Sequence, residues 1–154
     1  MNAASFLSLA VSSMLPLAAQ AQDPANAKPA PVVISDAAWT HGLERGLPVH
    51  DLEGAGASAQ LVCDPDRVFG QRSNGSFAVT LPAERQPARV VILAATGEQA
   101  AFELEEGRIA QSRADPEEWS TLVAILGSNT RFAVVSAHEA VTWTVAEVLS
   151  GPCD

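Results

Sequence analysis

The 154-residue chain has no tyrosine, two cysteines and, among its nine basic residues, a lone lysine, Lys28. Lacking tyrosine, it lacks a common general acid and a common sugar-stacking side chain. With so few basic residues the formal net charge is −9, which disfavours phosphate backbones and anionic lipid as partners. Neither cysteine belongs to a Cys-x-x-Cys pair, and no histidine stands at ligand spacing from Cys63 or Cys153. No serine sits in a Gly-x-Ser-x-Gly elbow, so nucleophilic catalysis has no local signature. Gly54-Ala55-Gly56 lacks the third glycine of a dinucleotide loop and opens no helix. Asp64-Pro65-Asp66 has paired carboxylates, but a calcium loop would need further oxygens nearby, and Arg67 opposes a cation there. No metal or cofactor is expected.

Charge is also missing from one whole stretch. Met1 to Gln22 carries no ionisable side chain, Phe6 to Ala19 is apolar, and Ala19-Gln20-Ala21 is a small-x-small pattern. These features describe a signal peptide over residues 1–21, cut between Ala21 and Gln22, although the usual basic n-region is absent. Ser12, Ser13, Pro16 and Gln20 break the run below the length of a membrane anchor. Residues 22–31, rich in Pro and Ala, offer nothing to bury and read as a disordered or polyproline-like lead-in. Residues 32–154 then have the size and the 47% hydrophobic content of one globular domain. In an exported chain, two cysteines favour a Cys63–Cys153 disulfide, tying an early strand to the C-terminus.

The best-specified element is a helix over about 116–126. Asp115 suits the N-cap and Pro116 the first helical position. Glu118 is placed to reach back to the cap, and Trp119, Leu122, Val123 and Leu126 form one apolar stripe. Gly127 supplies a left-handed stop. Around this helix the pattern is strand. Val32-Val33-Ile34 is a short apolar run, and 39–51 reads as a loop leading into a strand near Val49. Ala57, Ala59, Leu61 and Cys63 share one face, and Ser73-Asn74-Gly75-Ser76 is the best hairpin turn. Phe77, Val79 and Leu81 alternate inward. Residues 89–95 are apolar on both faces, as in a central strand, and Phe102 and Leu104 then face in. Residues 131–136 and the Val141, Trp143, Val145 alternation complete about eight strands. The expected fold is mainly β (α+β): an antiparallel β-sandwich or small barrel with the helix packed on the sheet.

Function is the least specified property. His41, His50 and His138 read as exposed loop residues; they are also the only histidines a small hydrolase could use. Glu98, Glu103, Glu105, Glu106, Asp115, Glu117 and Glu118 stand against only Arg108 and Arg113, an acidic face suited to a cationic protein or simply to a solvated edge. Trp39, beside His41 and Arg45 in a loop-like stretch, suits either a contact hot spot or a plug at the end of a sandwich. The general design resembles small bacterial envelope proteins in architecture and carries no family motif. The expectation is a non-enzymatic, periplasmic or secreted bacterial protein that binds another envelope or secreted protein as an accessory or inhibitor. Its candidate contacts are Trp39, His41, Arg45, Glu103, Glu105 and Glu106, with no nucleic acid and no membrane insertion after signal cleavage. The alternatives are a carrier of small apolar ligands and, behind it, the hydrolase.

Overall fold

The computed structural model describes residues 31–151 and Cys153. The expected leader, its cut at Ala21 and Gln22, and all but the last residue of the lead-in lie outside the described residues. Two five-stranded sheets face each other. The first takes β1 (Val32–Ala37), β10 (Ala140–Val145), β9 (Arg131–Val135), β6 (Arg89–Ala94) and β7 (Gln99–Glu103), in that spatial order. The second takes β2 (Thr40–Glu44), β3 (Leu47–Gly54), β4 (Ala57–Val62), β5 (Ser76–Thr80) and β8 (Arg108–Ala110). The sheets do not close into a barrel, so the sandwich alternative holds. All pairings are antiparallel except β1 with β10, where Val32 aligns with Val141 and Ile34 with Trp143. Ten strands form where about eight were expected, mainly because 40–54 is a hairpin rather than a loop.

That hairpin turns on Arg45 and Gly46, both at positive φ, 52° and 85°. Ala55 and Gly56 repeat the geometry between β3 and β4. Such two-residue turns match the twist of paired strands, and glycine at the second position lowers their cost. The expected Asn74-Gly75 hairpin does not form. Asp64 turns 64–75 into a longer loop instead: its buried carboxylate accepts from the backbone N–H groups of Val68 and Asn74 and from the Asn74 side chain, at 2.8–2.9 Å. The Asn74 bond is the largest of several that hold the Asp64 carboxyl below its ordinary range. Asp64 thus closes the loop.

The facing sides of the two sheets form one core. Leu52, Leu61, Phe77, Leu81, Val90, Ile92, Val134 and Trp143 are among its shielded residues, and full burial of each such side chain contributes about 1.5–3 kcal/mol. Helix α1 (Pro116–Ser128) joins this core through Trp119, Leu122, Ile125 and Leu126, with Val123 partly buried. Asp115 caps it as expected, accepting from Glu117 and Glu118 N–H. Two details differ. The helix continues through Gly127 and ends on Asn129, whose backbone and side-chain amides both reach the Ile125 carbonyl. Glu118 does not close a capping box: its Oε2 accepts from Ala101 N–H in the edge strand β7, at 2.6 Å.

The Glu118 carboxylate therefore takes the place of a neighbouring strand at Ala101, blunting an edge that would otherwise recruit another chain. Glu118→Ala should cost about 1–2 kcal/mol and speed amide exchange at Ala101. Unchanged exchange at that amide would show that the carboxylate does not hold it.

Candidate functional site

Sheet register gathers the unusual side chains at one end of the second sheet. β3 begins at Leu47 and β4 ends at Val62, and Cys63 N–H donates to the Pro48 carbonyl at 2.9 Å. The β2–β3 turn and the 64–75 loop consequently emerge together. The C-terminal segment arrives at the same place. Leu149 N–H bonds the Leu126 carbonyl at the end of α1, the backbone at Gly151 passes the His50 ring, and Cys153 joins Cys63 in a disulfide with a Cα separation of 4.8 Å. The expected bridge is present and spans 90 residues. A bridge of this kind persists in oxidising compartments, so it is compatible with an extracytoplasmic location.

His41 and His50 face each other across β2 and β3. Pro48 directs its carbonyl toward β4, so its partner Leu43 points its own backbone N–H and C=O away from β3. Alternation then makes His41–His50 a non-hydrogen-bonded pair as well, the kind in which opposed side chains lie closest. Their Nδ1 atoms are 2.6 Å apart and the rings meet edge to face. One ring must therefore donate and the other accept. His41 is exposed, whereas His50 is only 4% exposed, and its Nε2 is shielded without a hydrogen-bond partner among the described residues. The expectation of exposed loop histidines holds for His138 in the β9–β10 turn. His41 is exposed but lies in a strand; His50 is both buried and in a strand.

Burial, followed by the His41 ring, pushes the His50 imidazole below its ordinary value of 6.5, with Asp51 opposing. The unfolded chain thus binds a proton at His50 more readily than the folded one. This contribution to stability is present above about pH 6.5 and is lost as pH falls through the lowered value. Urea melts stepped from pH 7.5 to 5 should show that decline, and His50→Gln should flatten it; an identical slope in the variant would place its origin elsewhere.

The candidate contact residues fall on opposite edges. Trp39, His41 and Arg45 belong to the β2 side, while Glu103, Glu105 and Glu106 lie by β7 and β8. Four strand spacings separate β2 from β8, roughly 19 Å. Trp39 is half-buried and stacks on Phe132, which stacks on Trp143, with centroids 6.4 and 5.8 Å apart; it plugs the end of the core. Arg45 is exposed in the β2–β3 turn. Glu103 pairs with Arg89 at 3.3 Å, and both Glu105 oxygens engage Arg113 at 2.5 and 2.6 Å. Glu103, Glu105, Arg108 and Arg113 share an open cleft of about 480 Å³ with Phe102 and Ile109. That cleft has charge of both signs, so it is less acidic than the sequence window suggests. Glu106 occupies the β7–β8 turn.

Large apolar side chains are exposed outside this cleft, Val33 of β1 among them at 58%. Leu43 is 79% exposed, and Val68 and Phe69 in the 64–75 loop are 55% and 60% exposed. No local sequence pattern distinguishes these residues from core residues. Compared with known proteins, the chain matches no family, no curated protein and no solved structure. Among the described residues no helix is long and apolar enough to cross a membrane.

Proposed function

We propose that the protein is an exported, non-enzymatic binding module that takes an extended segment of another envelope or secreted protein onto β2, an edge strand among the described residues. The observation carrying this reading is that all five residues of β2 are exposed while Leu43 turns its backbone N–H and C=O outward. Strand addition to such an edge draws affinity from main-chain hydrogen bonds and specificity from alternate side chains. His41 and Leu43 lie on one face of the strand, Thr40 and Glu44 on the other. The segment that fits alternates apolar residues, toward Leu43, with basic residues, toward Glu44. The net charge of −9 favours the same cationic partner at longer range. Val68 and Phe69 emerge at this end and supply further apolar contact.

The arrangement gives less support to the alternatives. The space between the sheets is filled by Phe77, Phe132, Trp143 and their neighbours, which works against an apolar-ligand carrier. His41 and His50 bond each other rather than a serine or carboxylate, which works against a hydrolase.

Leu43→Pro tests the reading. It removes an outward N–H without breaking the β2–β3 ladder. In capture from an envelope extract of the host with salt-stepped elution, the parent chain should retain one stoichiometric protein. Leu43→Pro should lose it at unchanged melting temperature. Glu105→Lys with Glu106→Lys should leave capture intact; capture lost in that variant and kept in Leu43→Pro would move the docking surface to the opposite edge and overturn the proposal.

A further inference from the structure

We infer that His50, Cys63 and Cys153 form a buried site for one Zn2+ ion when the disulfide between the two cysteines is reduced. A ring nitrogen of His50 and the two sulfurs lie within 4.8 Å of one another, and all three residues are buried. His50 Nδ1 is taken by His41, while Nε2 is shielded and has no partner among the described residues. A buried ring nitrogen without a partner is costly, and a metal ion is one group that would satisfy it. When His50 donates its Nδ1–H to His41, Nε2 is left as a bare lone pair, the form that binds a metal. His41 is then a positioning residue that fixes the ring and its tautomer from outside the site.

The placement suits a thiolate–imidazole centre. Bonds of about 2.3 Å to sulfur at tetrahedral angles put two zinc-bound sulfurs roughly 3.8 Å apart, so they must separate from bonding distance. Cys63 is held by its backbone bond to Pro48 beside β3, which carries His50. Cys153 lies on the C-terminal segment, two residues after Gly151 at φ 133°. Two sulfurs and an imidazole form a donor set that selects Zn2+ over hard cations such as Ca2+ or Mg2+.

The steps balance with a dithiol as reductant. Two electrons and two protons pass from it to Cys63 and Cys153, the S–S bond breaks, and the dithiol leaves as its own disulfide. Zn2+ then displaces the two thiol protons to solvent, forming two Zn–S bonds and one Zn–N bond to His50. Water completes the fourth position. The two states exclude each other, since sulfurs bonded to one another are not thiolate ligands. The chain thereby exchanges a covalent clasp for a metal clasp according to redox conditions, independently of whether β2 docks a partner.

The test uses the full exported chain, reduced with a phosphine and titrated with Zn2+ alone against a chromophoric chelator. The reduced chain should bind one Zn2+ and the oxidised chain none. Co2+ in its place should give sulfur-to-metal charge-transfer bands and a tetrahedral ligand-field spectrum. His50→Gln should weaken Zn2+ binding on the order of 100-fold or more, and His41→Gln about 10–100-fold with the Co2+ spectrum still tetrahedral. If reduction unfolds the chain, Zn2+ should restore its native circular dichroism. Equal zinc uptake by reduced and oxidised protein, unweakened binding by His50→Gln, or a reduced chain that zinc neither occupies nor refolds would overturn the proposal.

Discussion

Replacing Cys63 and Cys153 together by alanine should lower the free energy of unfolding by about 3–5 kcal/mol. The bridge closes a loop of 90 residues, and its removal restores that loop's freedom to the unfolded chain. The melting temperature should drop on the order of 10–20 °C, while the near-ultraviolet spectrum of the folded state stays close to that of the parent. Alanine is preferred to serine because both positions are buried and a hydroxyl there would lack a partner. What remains of the clasp is noncovalent: Leu149 is buried and bonds Leu126, and Ala146 N–H bonds the Ala37 carbonyl. Urea denaturation of the oxidised parent and the double variant measures the difference. A loss below about 1 kcal/mol would mean that these contacts, rather than the covalent link, hold the C-terminal segment on the sandwich.

Glu139→Ala should cost about 2–3 kcal/mol of stability. Glu139 is 4% exposed and sits in the turn between β9 and β10. Its Oε1 accepts from Ala83 and Glu84 N–H at 2.7 and 2.8 Å, in the segment that crosses from β5 in one sheet to β6 in the other. The carboxylate therefore pins the inter-sheet crossover to the opposite turn. Alanine strands two backbone donors and breaks the tie. Glutamine keeps an oxygen in place but loses the charge, and because charge-assisted bonds are roughly twice as strong as neutral ones, Glu139→Gln should recover roughly half of the loss. Chemical denaturation of both variants settles the point. Alanine and glutamine variants of equal stability would show that the two N–H groups find water instead.

The fold class was legible because burial imposes a period. Phe77 and Val79, or Val141, Trp143 and Val145, alternate with half-exposed neighbours as one-sided strands must. Asp115 and Pro116 marked the start of α1 because capping is settled within a few residues. The misreadings have equally local causes. Arg45-Gly46 and Ala55-Gly56 make tight turns without the Asn-Gly signature, so a hairpin passed for a loop. Asn74-Gly75 carries that signature, but Asp64 ten residues earlier claims the Asn74 amide. Glu118 has the spacing of a capping box, yet the Ala101 N–H on a bare sheet edge offers a partner that spacing cannot reveal. The candidate site was the least legible part. His50 lies in β3 and Cys63, thirteen positions later, directly follows β4, so no motif connects them until the register of β3 and β4 is known.

By itself, the sequence determined which apolar residues of the alternating strands face inward, where the helix begins, that the chain is acidic and that two cysteines were available to pair. Those properties follow from side-chain chemistry and local periodicity, which do not depend on distant partners. Only the tertiary structure decided that His41 and His50 share a hydrogen bond beside the disulfide, that Trp39 plugs the core, that the candidate contacts divide between two edges about 19 Å apart, and that β2 is an edge strand among the described residues. Each of these is a relation between strands, set by register and by the order of strands in the sheets, and many arrangements of the same strands would satisfy the same local pattern.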